Sequence, residues 1–510
     1  FAKRRDSSVK ALSPIQFEVD HLDEIELAQD SEALRVAKAV RRRILVRTQE
    51  EMRVVLGPRM YSPHYVKETV LRDPEIQKLV KELAEKEGVD EKKILARAYL
   101  NLGEIVANYK FRTIEIMYVF LKWLFTKVFE GLDVKEEEIA NIKEIFKKSP
   151  TVFVCSHRSH LDYLVMPFAL FVRDLATPHF VAGDNLSFWP LGPFLRSGGA
   201  FFIRRSFRGD KLYSLCLKKY IDFLIRNRIC FLFFIEGTRS RSGKMLSPAY
   251  GILKSVVDSY SQKDVDDIAM VPVSFCYDEV PEEGSYNKEL SGAKKVKESV
   301  GGILKARSII ERKIGKAYMR VAPTLYLKDA TQTSGDERLV LQKTAFELCK
   351  RICDVTPITP KSIVSTVFLA HPMGAHSLEE LHTLTHSVAS YLGKMGMPLS
   401  RGLDAGFKGA IERTIRSMKR SGLVRVDENA IPRLYSCEEK RRATLNYYKN
   451  TGLHGFVIPS IQFLALFRTL QVLGPDSDKS EFWNRFERNA LELRNILKFE
   501  FFFSPTEKLN

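Results

Sequence analysis

The stretch Thr151-Val-Phe-Val-Cys155, followed directly by Ser156-His157-Arg-Ser159-His-Leu-Asp162, marks the point where a helical pattern gives way to a β-rich one. From here, short apolar runs alternate with helical stretches, and continuous apolar runs are typical of strands covered on both faces. These runs are 151–155, 200–203, 229–235, 269–275 and 317–321. Strands that bracket helices predict an α/β fold with a central, mostly parallel sheet flanked by helices. The functional site is then expected at the strand ends.

The chain on either side of this region has a helical pattern. Its 510 residues, 45% of them hydrophobic, are too many for one core and too apolar for a disordered chain. Helical periodicity returns after residue 335, with Pro357 and Pro360 marking a break. The sequence therefore predicts three domains: a helical N-terminal domain over 1–148, an α/β domain over 149–335 and a helical C-terminal domain over 336–510.

The composition is basic and gives no sign of a metal site. Lys and Arg outnumber Asp and Glu by 80 to 63, a net charge of +17 that favours nucleic acid, anionic lipid or a phosphorylated small molecule as partner. Between residues 200 and 254, twelve Lys or Arg stand against three Asp or Glu. The seven cysteines lack CxxC spacing, which indicates reduced thiols. The pairs Cys349–Cys353 and His382–His386 lack further ligands, so no metal is expected.

The first candidate site follows the 151–155 run. On one regular helix, His157 and Asp162 would lie on different faces, so a working pair requires His157 in the loop and Asp162 in the first helical turn. A carboxylate that contacts a neutral histidine orients the ring and makes it more basic, as removal of a proton from an alcohol requires. Ser159 with Asp162 fits a helix N-cap equally well. Spacing alone leaves both interpretations open.

Two further blocks place arginines at strand ends. One is Gly198-Gly-Ala-Phe-Phe-Ile-Arg204-Arg205, and the other is Phe234-Ile-Glu236-Gly237-Thr-Arg239-Ser240-Arg241-Ser-Gly243-Lys244. Planar guanidinium groups that converge on a phosphate make paired, charge-assisted hydrogen bonds, which favours a phosphate-bearing small molecule. The second block does not match a nucleotide-binding P-loop, since five residues separate its glycines and Met245 stands where Ser or Thr would hold magnesium.

Taken in order, these blocks resemble those of the glycerolipid acyltransferase family. His157 and Asp162 match its His-x4-Asp block, and 199–205, 234–240 and 271–273 match its Gly-Ala-Phe-Phe-Ile-Arg-Arg, Phe-Ile-Glu-Gly-Thr-Arg-Ser and Val-Pro-Val blocks. The stretch Tyr286-Asn-Lys-Glu-Leu-Ser-Gly-Ala-Lys-Lys295 is similar to a segment of bacterial membrane-bound glycerol-3-phosphate acyltransferases. The specific resemblance covers residues 150–325.

The resemblance implies transfer of a fatty acyl group from acyl-coenzyme A or acyl carrier protein to the sn-1 hydroxyl of glycerol 3-phosphate. This reaction gives lysophosphatidate, the first step of phospholipid synthesis. His157 would remove the hydroxyl proton while Asp162 holds its ring, with no covalent enzyme intermediate and no cofactor. Two groups of binding residues are implied: Arg204, Arg205, Arg239, Arg241 and Lys244 for the phosphate, and Glu236, Gly237 and Ser240 for the acceptor pocket. Glu236 could instead order neighbouring arginines, and Ser240 could cap a turn.

Other functions stay open on the sequence. Dihydroxyacetone-phosphate acyltransferases share every block, and a lysophosphatidate acyltransferase would use the same chemistry. The ending Glu-Lys-Leu-Asn510 has no recognisable peroxisomal signal, which favours glycerol 3-phosphate. As a non-enzyme, the chain would be a basic membrane- or nucleic-acid-binding protein. Segment 378–432 loosely suggests a winged helix, although we expect no nucleic acid.

The expected partner is a phospholipid surface, to which the basic chain binds peripherally or monotopically on the cytoplasmic face of a bacterial inner membrane. The apolar segments 114–129, 163–172 and 185–195 are candidates for contact with lipid, with packing in the core as the alternative for each. The stretch 450–467 has the length of a membrane span, but its glycines, His454 and Pro459 argue against one.

Overall fold

The computed structural model describes residues 57–58, 60–207, 209–262, 265–283, 286, 314–331, 336–371, 374–404, 406–474 and 478–503, and also Val40. Within the segment that extends the family resemblance, 286–295, only Tyr286 is described. The chain end at Asn510 lies outside the described residues as well.

Helices make up most of the described chain, and the strands are short. The helices are α1 Pro63–Leu71, α2 Pro74–Glu87, α3 Glu91–Ile105, α4 Phe111–Trp123, α5 Glu136–Lys148, α6 Asp162–Phe171, α7 Leu191–Ser197, α8 Lys211–Arg226, α9 Tyr250–Ser261, α10 Leu327–Thr331, α11 Glu337–Val355, α12 Pro360–Ala370, α13 Leu378–Lys394, α14 Arg401–Asp404, α15 Phe407–Arg420, α16 Arg442–Thr451, α17 His454–Leu473 and α18 Lys479–Leu497. The strands are β1 Leu132–Asp133, β2 Thr151–Cys155, β3 His179–Gly183, β4 Ala200–Ile203, β5 Phe231–Phe234, β6 Ala269–Tyr277, β7 Ala317–Val321, β8 Leu325–Tyr326, β9 His376–Ser377, β10 Arg425–Asp427 and β11 Leu434–Ser436.

The central sheet has the strand order β1–β7–β6–β2–β5–β3–β4, with β8 paired to β6. Strand β2 is parallel to both neighbours, β5 and β6, and β3 is parallel to β5 and β4. Strands β7 and β8 are antiparallel to β6. The prediction of a mostly parallel sheet is confirmed, and each of the five predicted runs forms a strand. Strand β3 is not among those runs, because His179, Ala182 and Gly183 dilute its apolar pattern.

Helices cover both faces of this sheet and form two hydrophobic cores. One core joins α4, α5 and α6 to the sheet and continues into α12, α13 and α16. The other joins α1, α2 and α3 to α8, α9 and α11. Lys219 of α8 lies between α8 and the start of α2, where its Nζ contacts the carboxylates of Asp73 at 3.1 Å and Glu75 at 2.6 Å. Each core includes residues from both sides of a predicted domain boundary, so the helical regions pack on the α/β region. The division into three domains stays a prediction.

The C-terminal region adds a small sheet and a helical hairpin. The antiparallel order β10–β11–β9 accompanies α13, α14 and α15. Segment 378–432 contains these three helices and β10, whereas β9 and β11 lie outside it. In the hairpin, α17 packs on α18 around buried Ile461 and Phe486. By length and composition, the 20-residue α17 is able to cross a membrane, and 22% of its apolar window is buried. The expectation that Gly455 and Pro459 interrupt this segment is wrong, since the helix continues through both.

Candidate active site

The corner between β2 and α6 brings His157 and Asp162 together. Strand β2 ends at Cys155, residues 156–161 form the connection, and Asp162 is the first residue of α6. The His157 Nδ1 lies 2.9 Å from Asp162 Oδ2. The histidine is therefore in the loop and the aspartate in the first helical turn, the placement that a pair with this spacing requires.

The Asp162 carboxylate also organises the loop that carries His157. Its Oδ2 accepts the backbone N–H groups of Arg158 at 2.6 Å and Ser159 at 2.9 Å, while its Oδ1 accepts the Tyr277 hydroxyl at 2.6 Å. The bond from the Ser159 N–H has the form of half a capping box, but α6 begins at Asp162, and its N-cap residue is Leu161 rather than Ser159. One fully buried carboxylate thus holds both the start of α6 and the histidine ring.

Two further buried carboxylates hold the same loop from other parts of the chain. Glu236 accepts the N–H of His157 at 2.7 Å, and Glu282 accepts the N–H of His160 at 2.7 Å. With the aspartate, these acids accept all four N–H groups of residues 157–160. Burial raises the pKa of both glutamates, and the hydrogen bonds that they accept oppose this by favouring the charged form. The loop is held in one conformation by these bonds.

Glu236 joins the loop after β2 to the loop after β5. Its second oxygen accepts the Leu246 N–H at 2.8 Å and lies 3.3 Å from the Arg158 guanidinium. Arg158 also donates to the carbonyl of Lys244 at 3.0 Å. Both oxygens of Glu236 are therefore engaged by the protein, which agrees with the alternative that this residue orders its neighbours.

Burial favours the neutral form of the His157 ring, which is partly accessible. It stacks on Phe234 at the end of β5, with the ring centroids 3.9 Å apart and the planes 11° from parallel. Burial lowers the pKa of His157, although the hydrogen bond with Asp162 acts in the opposite direction. Because 14% of the side chain is exposed, one edge of the ring reaches solvent. With Nδ1 donating to the carboxylate, Nε2 is the nitrogen that can accept a proton.

The loop after β5 turns sharply and is bonded to the His157 loop. Gly237 has a φ of +65°, and a Cβ at this position would lie 2.8 Å from the Cβ of Ala249, so the turn requires glycine. The Ser240 N–H donates to the carbonyl of His157 at 2.9 Å. The Ser240 hydroxyl donates to the Lys244 carbonyl at 2.5 Å, which closes the loop.

Arg239 is buried beside this corner. Its Nη1 donates to the hydroxyl of Tyr286 at 2.9 Å and lies 3.7 Å from the Glu282 carboxylate. The Tyr286 hydroxyl in turn donates to the carbonyl of Arg158 at 3.0 Å. The guanidinium is thus linked to the loop that carries the histidine through one tyrosine.

The arginines after β4 have different surroundings. Arg204 makes two hydrogen bonds of 2.9 Å to Glu104 of α3 and lies 3.2 Å from the carboxylate of Asp210. Its guanidinium carbon is 4.3 Å from the centre of the Tyr213 ring. Arg205 is exposed to solvent. Acidic and aromatic side chains therefore surround Arg204. None of these contacts links Arg204 to the His157 loop.

Arg241 and Lys244 complete the set of predicted phosphate ligands. Arg241 is half-buried in the loop after β5. The Lys244 ammonium pairs with Glu500 in the segment after α18 and lies 4.8 Å from the centre of the Phe501 ring. The C-terminal segment thus contacts the last residue of the block, and the binding roles of both side chains stay predictions.

Three residues of the corner were not predicted from the sequence. Arg158 lies inside the first block, so its position between His157 and Ser159 was the available signal. Tyr277 and Glu282 reach the corner from the end of β6 and just beyond it, more than a hundred residues along the chain. No local pattern singles them out, because their roles arise from the pairing of β6 with β2.

Neither a metal centre nor a reactive thiol emerges near this corner. Across the described ranges, no group of three or more His, Cys, Asp or Glu side chains could hold a metal ion. Cys155 is fully buried in β2, and burial, together with the charge of Asp162, raises its pKa well above the usual value. The thiol is therefore protonated and packed, as expected for a strand residue.

Comparisons with known proteins match most of the chain. A family model described as Acyltransferase matches residues 133–276, and one described as Glycerol-3-phosphate acyltransferase C-terminal region matches residues 286–510. A glycerol-3-phosphate acyltransferase of Shewanella loihica is 30% identical over 455 residues, which cover 85% of this chain and 55% of the relative. That of Histophilus somni is 30% identical over 424 residues, covering 81% and 52%.

The chain spans about half the length of these curated relatives. Among solved structures, a crystal structure of a 1-acyl-sn-glycerophosphate acyltransferase from Thermotoga maritima is 22% identical with a TM-score of 0.30. The similar part covers 47% of this chain and 77% of that one.

Proposed function

We propose that this chain, which belongs to the glycerolipid acyltransferase family, transfers a fatty acyl group from acyl-coenzyme A or acyl carrier protein to the sn-1 hydroxyl of glycerol 3-phosphate. The product is lysophosphatidate, the first intermediate of phospholipid synthesis. The observation that carries the proposal is the neutral His157 held by buried Asp162, with the Arg239 guanidinium in the adjoining loop. A base beside a buried cation suits an acceptor that carries both a hydroxyl and a phosphate.

In the proposed reaction, His157 Nε2 takes the proton of the sn-1 hydroxyl as the hydroxyl oxygen attacks the thioester carbonyl carbon. The Asp162 carboxylate, 2.9 Å from Nδ1, stabilises the imidazolium that forms. Collapse of the tetrahedral intermediate breaks the C–S bond, and the departing thiolate takes the proton back from His157. The cycle needs no metal or cofactor, because the thiolate is a good leaving group and the histidine returns to its starting state.

The backbone of the His157 loop has a positioning role in this reaction. An oxyanion needs donors aimed at the position where its charge develops. The N–H groups of residues 157–160 already donate to three carboxylates. We therefore assign the oxyanion's donors to groups outside residues 157–160.

The proposal places the acceptor phosphate against the loop after β5. Arg239 and Arg241 are the inner ligands, and Lys244, Arg204 and Arg205 supply positive potential farther out. Support comes from the burial of Arg239 and its contacts at the corner. In the acceptor pocket, Glu236 orders the two loops, Gly237 permits the turn, and Ser240 ties the turn to the His157 carbonyl.

We also propose that the protein works on a phospholipid surface, at the cytoplasmic face of a bacterial inner membrane. The net charge of +17 favours anionic headgroups. Exposed apolar side chains occur on α4, on the segment before α7 and on α17, whereas the candidate segment 163–172 is mostly buried as α6. Long-chain acyl donors and the product both partition into bilayers, so a surface site gives the enzyme access to them.

The test is acceptor-dependent thiol release from palmitoyl-coenzyme A, in lipid or mild detergent. Glycerol 3-phosphate, dihydroxyacetone phosphate and lysophosphatidate are compared as acceptors, first with the coenzyme A donor and then with acyl carrier protein. The proposal expects release with glycerol 3-phosphate that disappears in His157→Ala and falls in Arg239→Ala. His386→Ala, on the exposed side of α13, is the matched histidine control and should keep the wild-type rate.

Each acceptor result has a defined meaning. Preference for dihydroxyacetone phosphate or lysophosphatidate would replace the proposed substrate while keeping acyl transfer. Absence of thiol release with either donor and all three acceptors would overturn the enzymatic proposal and favour a membrane- or nucleic-acid-binding protein.

A further inference from the structure

We propose that α4 and the segment that precedes α7 form one membrane-docking face that binds an anionic phospholipid surface and turns the catalytic edge toward it. This docking face consists of Ile116, Val119, Phe120 and Trp123 on α4 and of Phe188 and Trp189 before α7. It rests on the proposed work at a phospholipid surface, and because it is a binding property of the folded chain, its test does not depend on the proposed acyl transfer.

Helix α4 has two apolar sides, and the inner one packs on the described part of the protein. Ile114, Met117 and Leu121 are buried on the inner side. On the outer side, Ile116 is 63% exposed and Val119 is 67% exposed. Spacings of three and four residues place Ile116, Val119, Phe120 and Trp123 on one outward stripe. An apolar stripe of this width on a helix in contact with solvent is typical of interfacial binding.

The chain that leads into α4 is hydrogen-bonded to the end of α7, the helix that follows the second segment. The N–H of Asn108 donates to the Arg196 carbonyl at 3.1 Å, and the N–H of Lys110 donates to the Ser197 carbonyl at 2.8 Å. Met117 packs so close to Gly198 that a Cβ there would lie 2.7 Å from its sulfur. Trp189, just before α7, is 83% exposed, an extreme value for a tryptophan. Tryptophan prefers the headgroup level of bilayers, which suits this placement.

The charges around α4 identify the lipid surface as the occupant. Lys110, Arg112, Lys122 and Lys127 are all exposed at or beside this helix, against exposed Glu130 and half-buried Glu115. Cations that flank an apolar stripe attract anionic headgroups while the stripe enters the apolar layer. Helix α17 also exposes apolar side chains, but Arg468 is its single Lys, Arg, Asp or Glu. Helix α17 therefore provides a control with an apolar surface and little charge.

The chain leads from the docking face to the catalytic edge of the sheet at two points. After α4, the Phe129 ring lies 6.1 Å from the ring of Tyr277, whose hydroxyl bonds to Asp162. Trp189 follows the end of β3, and β3 and β2 are both parallel to β5, so their carboxyl ends lie on one edge. Docking through this face brings the corner that holds His157 next to the bilayer.

The test is binding to sedimented vesicles, with phosphatidylcholine alone compared with phosphatidylcholine mixed with phosphatidylglycerol. Wild type should bind the mixed vesicles, and the triple variant Ile116→Ser, Val119→Ser, Trp189→Ser should bind at least about tenfold more weakly. Lys122→Gln and Lys127→Gln should each weaken binding to the mixed vesicles about fivefold. The control triple variant Phe463→Ser, Phe467→Ser, Val472→Ser on α17 should bind like wild type.

A fluorescence measurement tests the docking face without changing any of its residues. The chain has three tryptophans, and Trp483→Phe leaves only Trp123 and Trp189, both in the docking face. Brominated lipids should quench their emission in the bound protein. The proposal is overturned if wild type does not bind the mixed vesicles or if no quenching occurs. It is also overturned if the Ile116, Val119, Trp189 triple variant, shown to be folded by circular dichroism, binds like wild type. Loss of binding in the α17 variant alone would overturn it as well.

Discussion

The loops after β5 and after β4 leave the same edge of the sheet, and both carry arginines. Among the residues that the structure describes, the loop after β5 is the one bonded to the His157 loop. In the loop after β5, Ser240 donates to the His157 carbonyl and Arg239 contacts Tyr286 and Glu282. In the loop after β4, Arg204 is held by Glu104 of α3 instead.

Strand order explains this difference. Strand β5 is next to β2, whereas β4 is three strands away, about 14 Å at a spacing of about 4.8 Å between strands. An arginine block at a strand end thus indicates the edge of the sheet that it occupies, but not its distance from the catalytic residue. We therefore expect the two loops to respond differently to the same substitution.

The largest effect on activity is expected from the substitution of His157. His157→Ala removes the proposed general base, so kcat/KM for acceptor-dependent thiol release should fall by about 10²- to 10⁴-fold. The His157 side chain is not in the hydrophobic core, and the melting temperature should change little. A wild-type rate in this variant would show that His157 is not the general base.

Arg239→Lys tests whether the loop after β5 binds the acceptor phosphate. Lysine keeps the charge but loses the planar fork, so kcat/KM for glycerol 3-phosphate should fall about 10- to 100-fold, mainly through a higher acceptor KM. The measurement is a kinetic titration of the acceptor at saturating donor. An unchanged acceptor KM would show that this loop does not bind the phosphate.

A third effect concerns the stability of the His157 loop. Glu282→Gln replaces an acceptor by an amide that presents one acceptor oxygen to the Ser159 hydroxyl and the His160 N–H. We expect a loss of about 1–3 kcal/mol in the free energy of unfolding, measured with denaturant, because a buried partner is left unsatisfied. Glu87→Gln, which disturbs the exposed pair with Arg97, is the control and should cost at most about 1 kcal/mol. Equal losses in the two variants would contradict the role assigned to Glu282.

The smallest effect is expected in the outer loop. Arg204→Lys alters contacts with Glu104 and Asp210, which lie at a partly exposed site, so kcat/KM should change less than about threefold. The assay is the same acceptor titration as for Arg239→Lys. A loss as large as in that variant would show that the phosphate extends to the loop after β4.

The same contrast separates what the sequence predicts from what it does not. Apolar runs predicted the sheet, and the spacing of His157 and Asp162 indicated the placement that a pair would require, because both depend on residues close in the chain. The spacing did not decide between a pair and a helix N-cap. Strand β3 was not predicted. Because β3 lies between β4 and β5, the distance between the loops after these two strands was not predicted either. The partners Glu104, Tyr277 and Glu282 come from remote helices and strands, so only the packing of those elements reveals them.

The central claim, that a neutral His157 removes the acceptor proton, is tested most directly by the pH dependence of kcat/KM. Burial holds the pKa of His157 below its usual value of about 6.5, so the base is lost only as pH falls through that lowered pKa. Activity should stay level from neutral pH down to about 6.5 and decline at lower pH. Asp162→Asn removes the group that raises this pKa, so its weaker activity should decline at still lower pH.

In His157→Gln, the residual rate should lack this acid limb. A wild-type profile that declines already above pH 7, or an unchanged acid limb in His157→Gln, would contradict the account.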